Sequence, residues 1–446
     1  MGTGEALGCG QSPCDLTSQE AEIFASRDTR SRGSGDLDST AEYPRVCLVI
    51  STFFPYVGGG ETHARLLCRE MIRLGAEVFV LTRRTSPDLP GRDTVDGIPV
   101  ERLPPVASRR LAKYLMLLPV FARLAARRRD YDVILVSGLR LLGLPGMLAA
   151  LLFRKTCILR AASCGELSGA FIWDSPHVEE KGRPRWYFRA AIALRNKLLL
   201  KAHGFLGISK AIGDEYRACG VPDGKIAVIN NGTDTELFQP VADKEKQALR
   251  RELGLPDGRI AAYTGKLNQG KGLDFLLEVW KDFAPRHPDA HLVLVGSGSG
   301  NFLSQEDALR TYVAEHDLAD RVTLTGFVQN VHAYLQAADL FVFPSENESL
   351  SNALIEALAC GVPCLASNIG GIPDTVRDGV NGRLLAARDH AAWLGALEAA
   401  WSNPDQVAQW AQQGREGIME RNSMESVARR HMAMVQSCHA GRKQPA

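Results

Sequence analysis

Short apolar runs alternate with amphipathic stretches of helical period along most of the chain. The apolar run at residues 45–51 leads through Gly58-Gly59-Gly60 into a stretch with leucine and methionine on one helical face, and another apolar run follows at residues 77–82. A strand, a loop, a helix and a strand in this order form one βαβ unit, whose two strands lie parallel. Parallel strands are continuously apolar because they are covered on both faces. The pattern therefore predicts a parallel sheet between layers of helices.

A second series of the same kind begins near residue 259. Residues 260–264 and 291–295 are predicted strands, and residues 271–283 between them have leucine and tryptophan at helical spacing. A turn-rich stretch with a charged segment, residues 230–258, separates the two series. Further strands are predicted at residues 133–136, 157–159, 204–208, 226–229, 322–325, 340–343 and 364–366.

The predicted fold class is α/β, with two Rossmann-like, doubly wound parallel-sheet domains that face each other across a cleft. Ligands of such sheets bind outside the carboxyl ends of the strands, so we expect the glycine-containing loops 58–60 and 265–272 to meet at the cleft. The expected parts are a disordered arm at 1–42, an N-terminal domain at 43–235, a C-terminal domain at 236–420, and a helix and tail at 421–446 that pack back on the N-terminal domain.

Composition narrows the class of protein. A net charge of +1 gives no reason to expect nucleic acid as a partner, and an apolar content of 45% is typical of soluble globular proteins. The ten cysteines form no C-x-x-C pair, so we expect reduced thiols in a cytoplasmic protein, with neither a disulfide framework nor a metal site. Residues 1–42 lack the apolar segment of a signal peptide.

One long apolar run, at residues 133–153, is interrupted by Arg140, Gly143 and Pro145. We interpret it as a buried strand, a loop and a short helix, although its length also admits a membrane span.

The segment Glu348-Ser-Leu-Ser-Asn-Ala-Leu-Ile-Glu356 carries the most chemical information. Residues 351–360 are predicted to be helical, so that Glu348 lies just before the helix and Glu356 lies inside it. The free N–H groups and the positive dipole end of a helix N-terminus favour phosphate. Two carboxylates on either side of such a phosphate site suit the hydroxyl groups of two sugars. The segment therefore predicts a site for a nucleotide-sugar.

Three glycine-containing loops offer further candidate chemistry. Lys266 and Lys271 in the loop 265–272 could neutralise a departing diphosphate, or they could be two ordinary solvated lysines. Gly58-Gly59-Gly60 could bring backbone N–H groups to phosphate, or form a plain tight turn. The loop that starts at Gly296 is similar to a dinucleotide fingerprint, but Asn301 stands where the third glycine belongs.

From about residue 45 to residue 385 the chain resembles the retaining glycosyltransferase family 4, which has the GT-B fold. The resemblance implies an enzyme, a retaining hexosyltransferase that acts in glycan biosynthesis, including that of polysaccharide or lipopolysaccharide. The motifs that carry it occur in the expected order: Gly58-Gly59-Gly60-Glu61, Ile208-Ser209-Lys210, Asn230-Asn231-Gly232-Thr233-Asp234, Gly265-Lys266 with Lys271-Gly272, Gly326-Phe327-Val328, Glu348 to Glu356, Gly361-Val362-Pro363, Gly370-Gly371-Ile372-Pro373-Asp374 and Asn381-Gly382.

The resemblance implies a role for each candidate residue. Lys266, Lys271 and Glu348 are the implied catalytic residues: the lysines stabilise the nucleoside diphosphate leaving group, and Glu348 contacts the transferred sugar. Glu356 would bind the ribose hydroxyls. Backbone groups near Leu350 and Ser351 would meet the diphosphate or sugar, and Gly59 and Gly60 would complete donor binding from the N-terminal domain. The nucleotide-sugar, UDP- or GDP-linked, is a substrate, so no cofactor is implied. The acceptor would be a glycan or a lipid-linked molecule.

The sequence departs from the family pattern in two places. Most members carry arginine where Lys266 stands, and lysine keeps the charge but lacks the bidentate fork. Many members also have histidine after the third or fourth strand, where this chain continues from Cys157 to Glu166 without one. Arg160, Ser163 and Glu166 are the nearby polar candidates for contacts with acceptor or sugar, and none is assigned as a base.

Alternatives remain at the level of sequence. The same fold and donor site would serve a nucleotide-sugar epimerase or a non-catalytic nucleotide-sugar binder, and the Gly296 loop leaves a nicotinamide oxidoreductase open.

The basic stretch 102–129 has leucines interleaved among its positive residues. It could contact an anionic membrane and place the enzyme at the inner face of that membrane, or form the solvated face of a helix. Its basic residues are Arg102, Arg109, Arg110, Lys113, Arg123, Arg127, Arg128 and Arg129.

Overall fold

The computed structural model describes residues 43–56, 58–106, 115–170, 179–180, 183–184, 186–299 and 303–443. The predicted disordered arm, residues 1–42, lies outside this range. Arg109, Arg110 and Lys113 of the basic stretch lie outside it as well.

The described residues form thirteen α-helices and sixteen strands. The helices are α1 Gly59–Arg73, α2 Leu117–Ala126, α3 Leu139–Phe153, α4 Trp186–Leu199, α5 Lys210–Ala218, α6 Asp243–Glu252, α7 Leu273–Phe283, α8 Glu306–Glu315, α9 Val331–Ala337, α10 Asn352–Ala359, α11 His390–Ser402, α12 Pro404–Arg421 and α13 Met424–Lys443. The strands are β1 Val46–Ile50, β2 Val78–Arg83, β3 Arg92–Val95, β4 Ile98–Leu103, β5 Val133–Ser137, β6 Thr156–Arg160, β7 Glu179–Glu180, β8 Arg183–Pro184, β9 Gly204–Gly207, β10 Ile226–Val228, β11 Arg259–Thr264, β12 Ala290–Val295, β13 Val322–Gly326, β14 Leu340–Phe343, β15 Cys364–Ser367 and β16 Gly382–Leu385.

Two parallel sheets organise the chain. The first has the strand order β10-β9-β6-β5-β1-β2-β4-β3, and only its edge strand β3 pairs antiparallel. The second has the order β13-β12-β11-β14-β15-β16, with every described pair parallel. Both orders reverse near the middle, at β1 and β11. That reversal opens a crevice at the carboxyl ends of the strands, where the ligands of doubly wound sheets bind.

Alternate residues of the first sheet point to opposite cores. Ile134 of β5 packs with α2, α3 and α5, whereas its neighbour Leu135 packs with α1 and α13. Burial on both faces is what makes these strands continuously apolar. The continuously apolar runs that predicted these strands are therefore explained by a sheet with helices on each side.

The chain passes between the two sheets twice, and the two passages lie side by side. Thr233 donates its N–H to the carbonyl of Asn422, and Met424 donates its N–H to the carbonyl of Thr233. The Asn422 side chain also donates to the carbonyl of Asn231, at 2.8 Å. After the second passage α13 packs against α1 and β6, so the last helix belongs to the core of the N-terminal sheet.

Two regions differ from the sequence interpretation. The hairpin of β3 and β4 was not predicted, although Asp96-Gly97 at its turn, both with positive φ, is a strong hairpin signal. The predicted short helix after β5 is the full-length helix α3, with Pro145 inside it. Pro145 and the neighbouring Gly146 are buried, where they let α3 approach Val136 of β5 closely. No described helix has the length and apolarity to cross a bilayer. Eight cysteines in the described part of the chain are free thiols.

Replacing Met432 of α13 with alanine is expected to lower the free energy of unfolding by about 2–5 kcal/mol, because it opens a cavity in the core shared with α1. Met432 is 4% exposed, while Met419 of α12 is 44% exposed and serves as the matched control. Met419→Ala should change stability by less than about 0.5 kcal/mol. Urea unfolding followed by circular dichroism makes the comparison, and equal losses for the two variants would show that α13 contributes no core.

Candidate functional site

The carboxyl ends of β11 and β14 bring an ion pair into the crevice. Lys271, in the loop after β11, lies with its Nζ 2.5 Å from Oε2 of Glu348, in the loop after β14. Ser345 Oγ lies 3.5 Å from the same carboxylate oxygen. The two side chains are 25% and 16% exposed, so water screens their attraction only in part. The structure therefore brings together two of the three predicted catalytic residues.

Glycines fix the backbone around this ion pair. Gly272 has φ +66°, and a Cβ there would lie 2.2 Å from the carbonyl oxygen of Pro344. Gly370, with φ +52°, would place a Cβ 1.9 Å from the carbonyl oxygen of Glu348. A side chain at Gly272 would push the Lys271 loop away from the loop that carries Glu348, and one at Gly370 would push the loop after β15 away from Glu348. The glycine motifs of the sequence thus hold the Lys271 and Glu348 loops at their separation.

Helix α10 starts directly after Glu348 and points its N-terminus into the crevice. Its N-cap residue Ser351 makes no side-chain capping hydrogen bond, so the positive end of the helix carries no built-in acceptor. Ser351 and Leu350, directly before the helix, are buried. An anion is the ligand that a free helix start favours.

Glu356 lies inside α10 and is surrounded by protein on nearly all sides, although a little of its surface stays exposed. Among the described residues no donor or cation pairs with its carboxyl group. Burial raises the pKa of Glu356 to about 8. A buried carboxyl group without a partner is costly to the fold, so its presence points to a ligand that supplies hydrogen bonds.

Lys266 provides a second positive charge on the Lys271 loop. Its side chain is exposed and, within the described ranges, makes no ion pair or hydrogen bond. The Gly296 loop supports this loop from behind, since Leu267 donates its N–H to the carbonyl of Ser297. The dinucleotide-like sequence at Gly296 therefore has a structural reason. In the described part of the chain no His, Cys, Asp or Glu side chains group in a way that could hold a metal ion.

A chain of side-chain amides crosses the crevice between the two sheets. Asn352, the first residue of α10, donates from Nδ2 to the carbonyl of Gly59 at 3.1 Å and accepts at Oδ1 from Nδ2 of Asn231 at 2.8 Å. Asn231 Oδ1 in turn accepts from Nη2 of Arg160 at 2.7 Å. The predicted donor-binding residue Gly59 is thereby held against the start of α10. Gly60, the next residue, has open space around its α-carbon.

Two further contacts bridge the same crevice. The N–H of Lys210, at the start of α5, donates to Oδ2 of Asp374 at 2.7 Å. The N–H of Cys164 donates to Oγ of Ser349 at 3.4 Å. Each contact joins a loop at a strand end of the N-terminal sheet to a loop at a strand end of the C-terminal sheet. The crevice is therefore closed around the Glu348 segment.

The three predicted acceptor residues lie close to the crevice, but they are engaged with protein. Burial lowers the pKa of Arg160 to about 10, and its guanidinium bonds Ser137 and Asn231. Glu166 is buried, with its pKa raised by that burial, and it accepts from the N–H groups of Ala162 and Arg140. Ser163 donates from Oγ to Glu166 at 3.4 Å. These bonds hold the loop after β6 in shape, so the acceptor role of the three residues stays a prediction.

Comparison with known proteins agrees with this geometry. Residues 58–232 match the family model for a glycosyl transferase 4-like domain, and residues 245–417 match the model for glycosyl transferases group 1. A D-inositol 3-phosphate glycosyltransferase from Corynebacterium aurimucosum is 30% identical over 373 residues, which cover 76% of this chain and 82% of the relative. This chain belongs to the group 1 glycosyltransferases. A relative of the same name from Acidothermus cellulolyticus is 28% identical over 76% of this chain and 77% of its own length.

Solved structures support the fold of the glycosyltransferase. Sucrose-phosphate synthase from Thermosynechococcus elongatus superposes with a TM-score of 0.73 at 25% identity, over 89% of this chain and all of that chain (100%). Anabaena HepE in complex with UDP-glucose superposes with a TM-score of 0.68 at 19% identity, over 89% of this chain and 100% of its own. The predicted GT-B fold is confirmed, and so is the prediction of a hexosyltransferase with a nucleotide-sugar donor.

Replacing Glu356 with glutamine is expected to stabilise the empty glycosyltransferase at alkaline pH. The pKa of about 8 in the folded state lies above the ordinary value of 4.5, so the folded protein binds the extra proton between these values. Its stability therefore falls as pH rises through this window, by roughly 2–4 kcal/mol, and the uncharged glutamine avoids that loss.

Melting temperatures at pH 4, 6, 8 and 9 test this sign. Glu356→Gln should melt with wild type at pH 4 and above it at pH 9, while the exposed Glu252→Gln should follow wild type throughout. A constant difference at every pH would contradict the burial of an unpaired carboxyl group.

Replacing Asn352 with leucine is expected to weaken closure of the crevice, because both hydrogen bonds of its side-chain amide are lost. The ratio kcat/KM for transfer should fall roughly 10-fold, as two neutral hydrogen bonds are worth about 1–3 kcal/mol together. The double variant with Asn231→Ala should lose little more than Asn352→Leu alone, since Asn231 belongs to the same chain of hydrogen bonds. Small-angle scattering should show a larger radius of gyration for Asn352→Leu. The exposed Gln409→Leu is the control, and fully additive losses would argue against a shared chain.

Proposed function

We propose that this glycosyltransferase moves a hexose from a UDP- or GDP-linked donor to a glycan or lipid-linked acceptor, with retention of anomeric configuration. The observation that supports the donor site is the Lys271–Glu348 ion pair at the uncapped start of α10, with the unpaired Glu356 further along the same helix. Positive charge, a free helix start and two carboxylates are thus arranged along one short segment. This order matches a donor read from its ribose through its diphosphate to its sugar.

Lys266 and Lys271 are proposed to hold the diphosphate. Negative charge develops on the bridging phosphate oxygen as its bond to the sugar breaks. A preorganised cation stabilises that charge in the transition state. Before the donor binds, Lys271 is paired with Glu348. When the donor binds, phosphate would take the place of this partner, which frees Glu348 for the sugar. Lys266 needs no such exchange, because among the described residues it has no partner to leave.

The two glutamates are proposed to bind the two sugars of the donor. Glu356, with its pKa near 8, would accept from the ribose hydroxyls, and those donors would favour its ionised form. Glu348 would accept from hydroxyls of the hexose. The nucleobase would lie near Phe327 and Val328, where Phe327 is 72% exposed at the carboxyl end of β13.

Retention is consistent with a site in which no protein side chain is assigned as a base. In residues 161–166, directly after β6, Glu166 is engaged with backbone N–H groups and the sequence has no histidine, so we assign no protein base there. Attack by the acceptor hydroxyl from the same face as the leaving group needs none. The acceptor oxygen bonds to the anomeric carbon, the bond to the phosphate oxygen breaks, and that oxygen takes the hydroxyl proton.

The comparisons suggest which substrates to try first. HepE was crystallised with UDP, with UDP and glucose, and with UDP-glucose, which favours a UDP-linked donor. The relatives are named for D-inositol 3-phosphate, so a phosphorylated polyol belongs in the acceptor panel beside glycans and lipid-linked sugars. A thermal-shift screen of UDP-, GDP-, ADP- and CDP-sugars identifies the donor, since a ligand of the folded state raises its melting temperature.

Replacing Lys271 or Glu348 with alanine is expected to lower kcat by about 100-fold or more, because each removes a group proposed to act on the transition state. Glu356→Ala should act mainly on donor binding. Lys281→Ala and Glu278→Ala, exposed residues of α7 with the same two charges, are the controls. Turnover near that of wild type for Lys271→Ala would remove the proposed leaving-group role.

The stereochemical proposal is tested on the same reaction. Proton NMR of the first product should show the anomeric configuration of the donor, and an inverted product would overturn retention.

We also propose that no cofactor is required, so activity should persist in EDTA. An epimerase would instead convert the donor sugar without any acceptor, and a non-catalytic binder would raise its melting temperature with donor yet neither transfer nor hydrolyse it.

A further inference from the structure

Three neighbouring helices cover one face of the N-terminal sheet, and their outer sides are apolar. Helix α3 packs between α2 and α4. Leu118 of α2 is 80% exposed, Leu152 of α3 is 65% exposed and Leu194 of α4 is 73% exposed. Trp186, the first residue of α4, is 79% exposed. Further exposed apolar side chains on the same three helices are Leu148, Leu151 and Tyr187, with Leu115 just before α2.

This concentration differs from the rest of the described surface. Elsewhere the large exposed apolar side chains are spread over separate elements, such as Leu237, Phe327 and Met419. Single side chains of this kind are normal on soluble proteins, whereas a contiguous group marks an interaction surface. We call the outer side of α2, α3 and α4 the three-helix face.

The charge of the three-helix face is mainly positive, and the exposed Asp130 after the end of α2 is paired with Arg127. Helices α2, α3 and α4 contain no aspartate or glutamate. Exposed basic residues lie on or at the ends of these helices: Arg128, Arg129, Arg154, Arg189, Lys197 and Lys201. By contrast the solvated helix α6 mixes both signs, with Asp243, Glu245 and Glu252 among its lysines and arginines. Apolar side chains ringed by positive charge complement an anionic bilayer, which offers both a hydrocarbon layer and negative headgroups.

The structure also moves the basic surface away from where the sequence placed it. Arg102 is buried in β4, where it bonds Asp93 and the carbonyl of Phe54. Arg123 and Arg127 both contact the carboxylate of Glu101. These three arginines serve the fold, so the described part of the 102–129 stretch offers mainly Arg128 and Arg129. The larger share of the exposed positive charge belongs to α3 and α4.

We propose that the three-helix face docks on an anionic lipid bilayer. The three helices pack on the sheet whose strand ends line the crevice, so a membrane in contact with them would run beside the crevice. The N-terminus of α3 reaches the crevice itself, because Arg140 donates its N–H to Glu166 in the loop after β6. A docked enzyme would therefore hold its acceptor loop next to the headgroups. This arrangement selects the lipid-linked class among the proposed acceptors, a step that rests on the proposed function, whereas docking itself does not.

Vesicle flotation of the full chain without donor or acceptor tests docking separately from catalysis. Wild type should float with vesicles of phosphatidylcholine and phosphatidylglycerol and remain behind with phosphatidylcholine alone. Rising salt should weaken the binding. The combined variant Leu118→Ser, Leu152→Ser, Trp186→Ser and Leu194→Ser should lose at least about 10-fold in partition, since burial of each apolar side chain contributes to interfacial binding.

Matched variants separate the face from general effects. Leu237→Ser with Met419→Ser removes exposed apolar side chains elsewhere and should bind as wild type does. Arg189→Gln, Lys197→Gln and Lys201→Gln together should remove most of the salt dependence. Because the serine positions are already exposed, the variants should melt with wild type.

Three results would overturn the proposal. Wild type could fail to bind anionic vesicles at low salt, or the four-serine variant could bind them unchanged. Sedimentation velocity could also show that wild type self-associates through this face and that the serine variant is monomeric, with no vesicle binding in either case. That last result would assign the face to a second copy of the chain.

Discussion

The amide of Asn352 is the contact on which the arrangement of the site depends. It joins the first residue of α10 to the glycine loop of the opposite sheet, and through Asn231 it reaches the buried guanidinium of Arg160. Each of these groups lies at the carboxyl end of a parallel strand, where a doubly wound sheet leaves its crevice. Two such crevices make a site only if they face each other. A side chain that is both donor and acceptor can bond the Gly59 carbonyl and the Asn231 amide together, which neither a charged nor an apolar residue could do at this place.

Around this contact the charged groups of the site differ in pairing and in burial. Lys271 and Glu348 neutralise each other, Glu356 is largely buried with no partner among the described residues, and Lys266 is exposed to solvent. Such a set costs stability in the absence of ligand, because a buried carboxyl group must stay protonated or be desolvated as an anion. The proposed donor, with phosphate beside two sets of hydroxyl groups, would satisfy all of them together.

The sequence predicted most of the fold because parallel strands and their helices leave a periodic record. Strands such as β1, β11 and β14 lie within one or two residues of the predicted runs. Glu348, Glu356, Lys266 and Lys271 were selected because they lie in a glycine-bounded loop or around a helix start, and their roles in the site stay predictions. The role of Asn352 was not predicted, although it lies inside the same motif. An asparagine carries no sign of which backbone it will bond, since its partners Gly59 and Asn231 are remote in the chain.

The basic stretch shows a second limit of the sequence. Arginines that pair with Glu101 or lie buried in β4 look the same along the chain as arginines in solvent. Only the tertiary structure separates them. The apolar side of α3 was likewise hidden, because a helix that is apolar all round gives no period from which its outer side can be recognised.

The return of the chain to the N-terminal sheet changes what counts as a domain here. Helix α13 fills the core against α1 and β6, yet it follows the whole C-terminal sheet in the chain. A cut after the first passage would leave the N-terminal half without its last helix. The core of the N-terminal sheet is accordingly encoded in two separate pieces of sequence. A chimera that exchanges this sheet between relatives must take residues 424–443 along with it, and a natural recombination event with a single crossover would leave mismatched surfaces at this core.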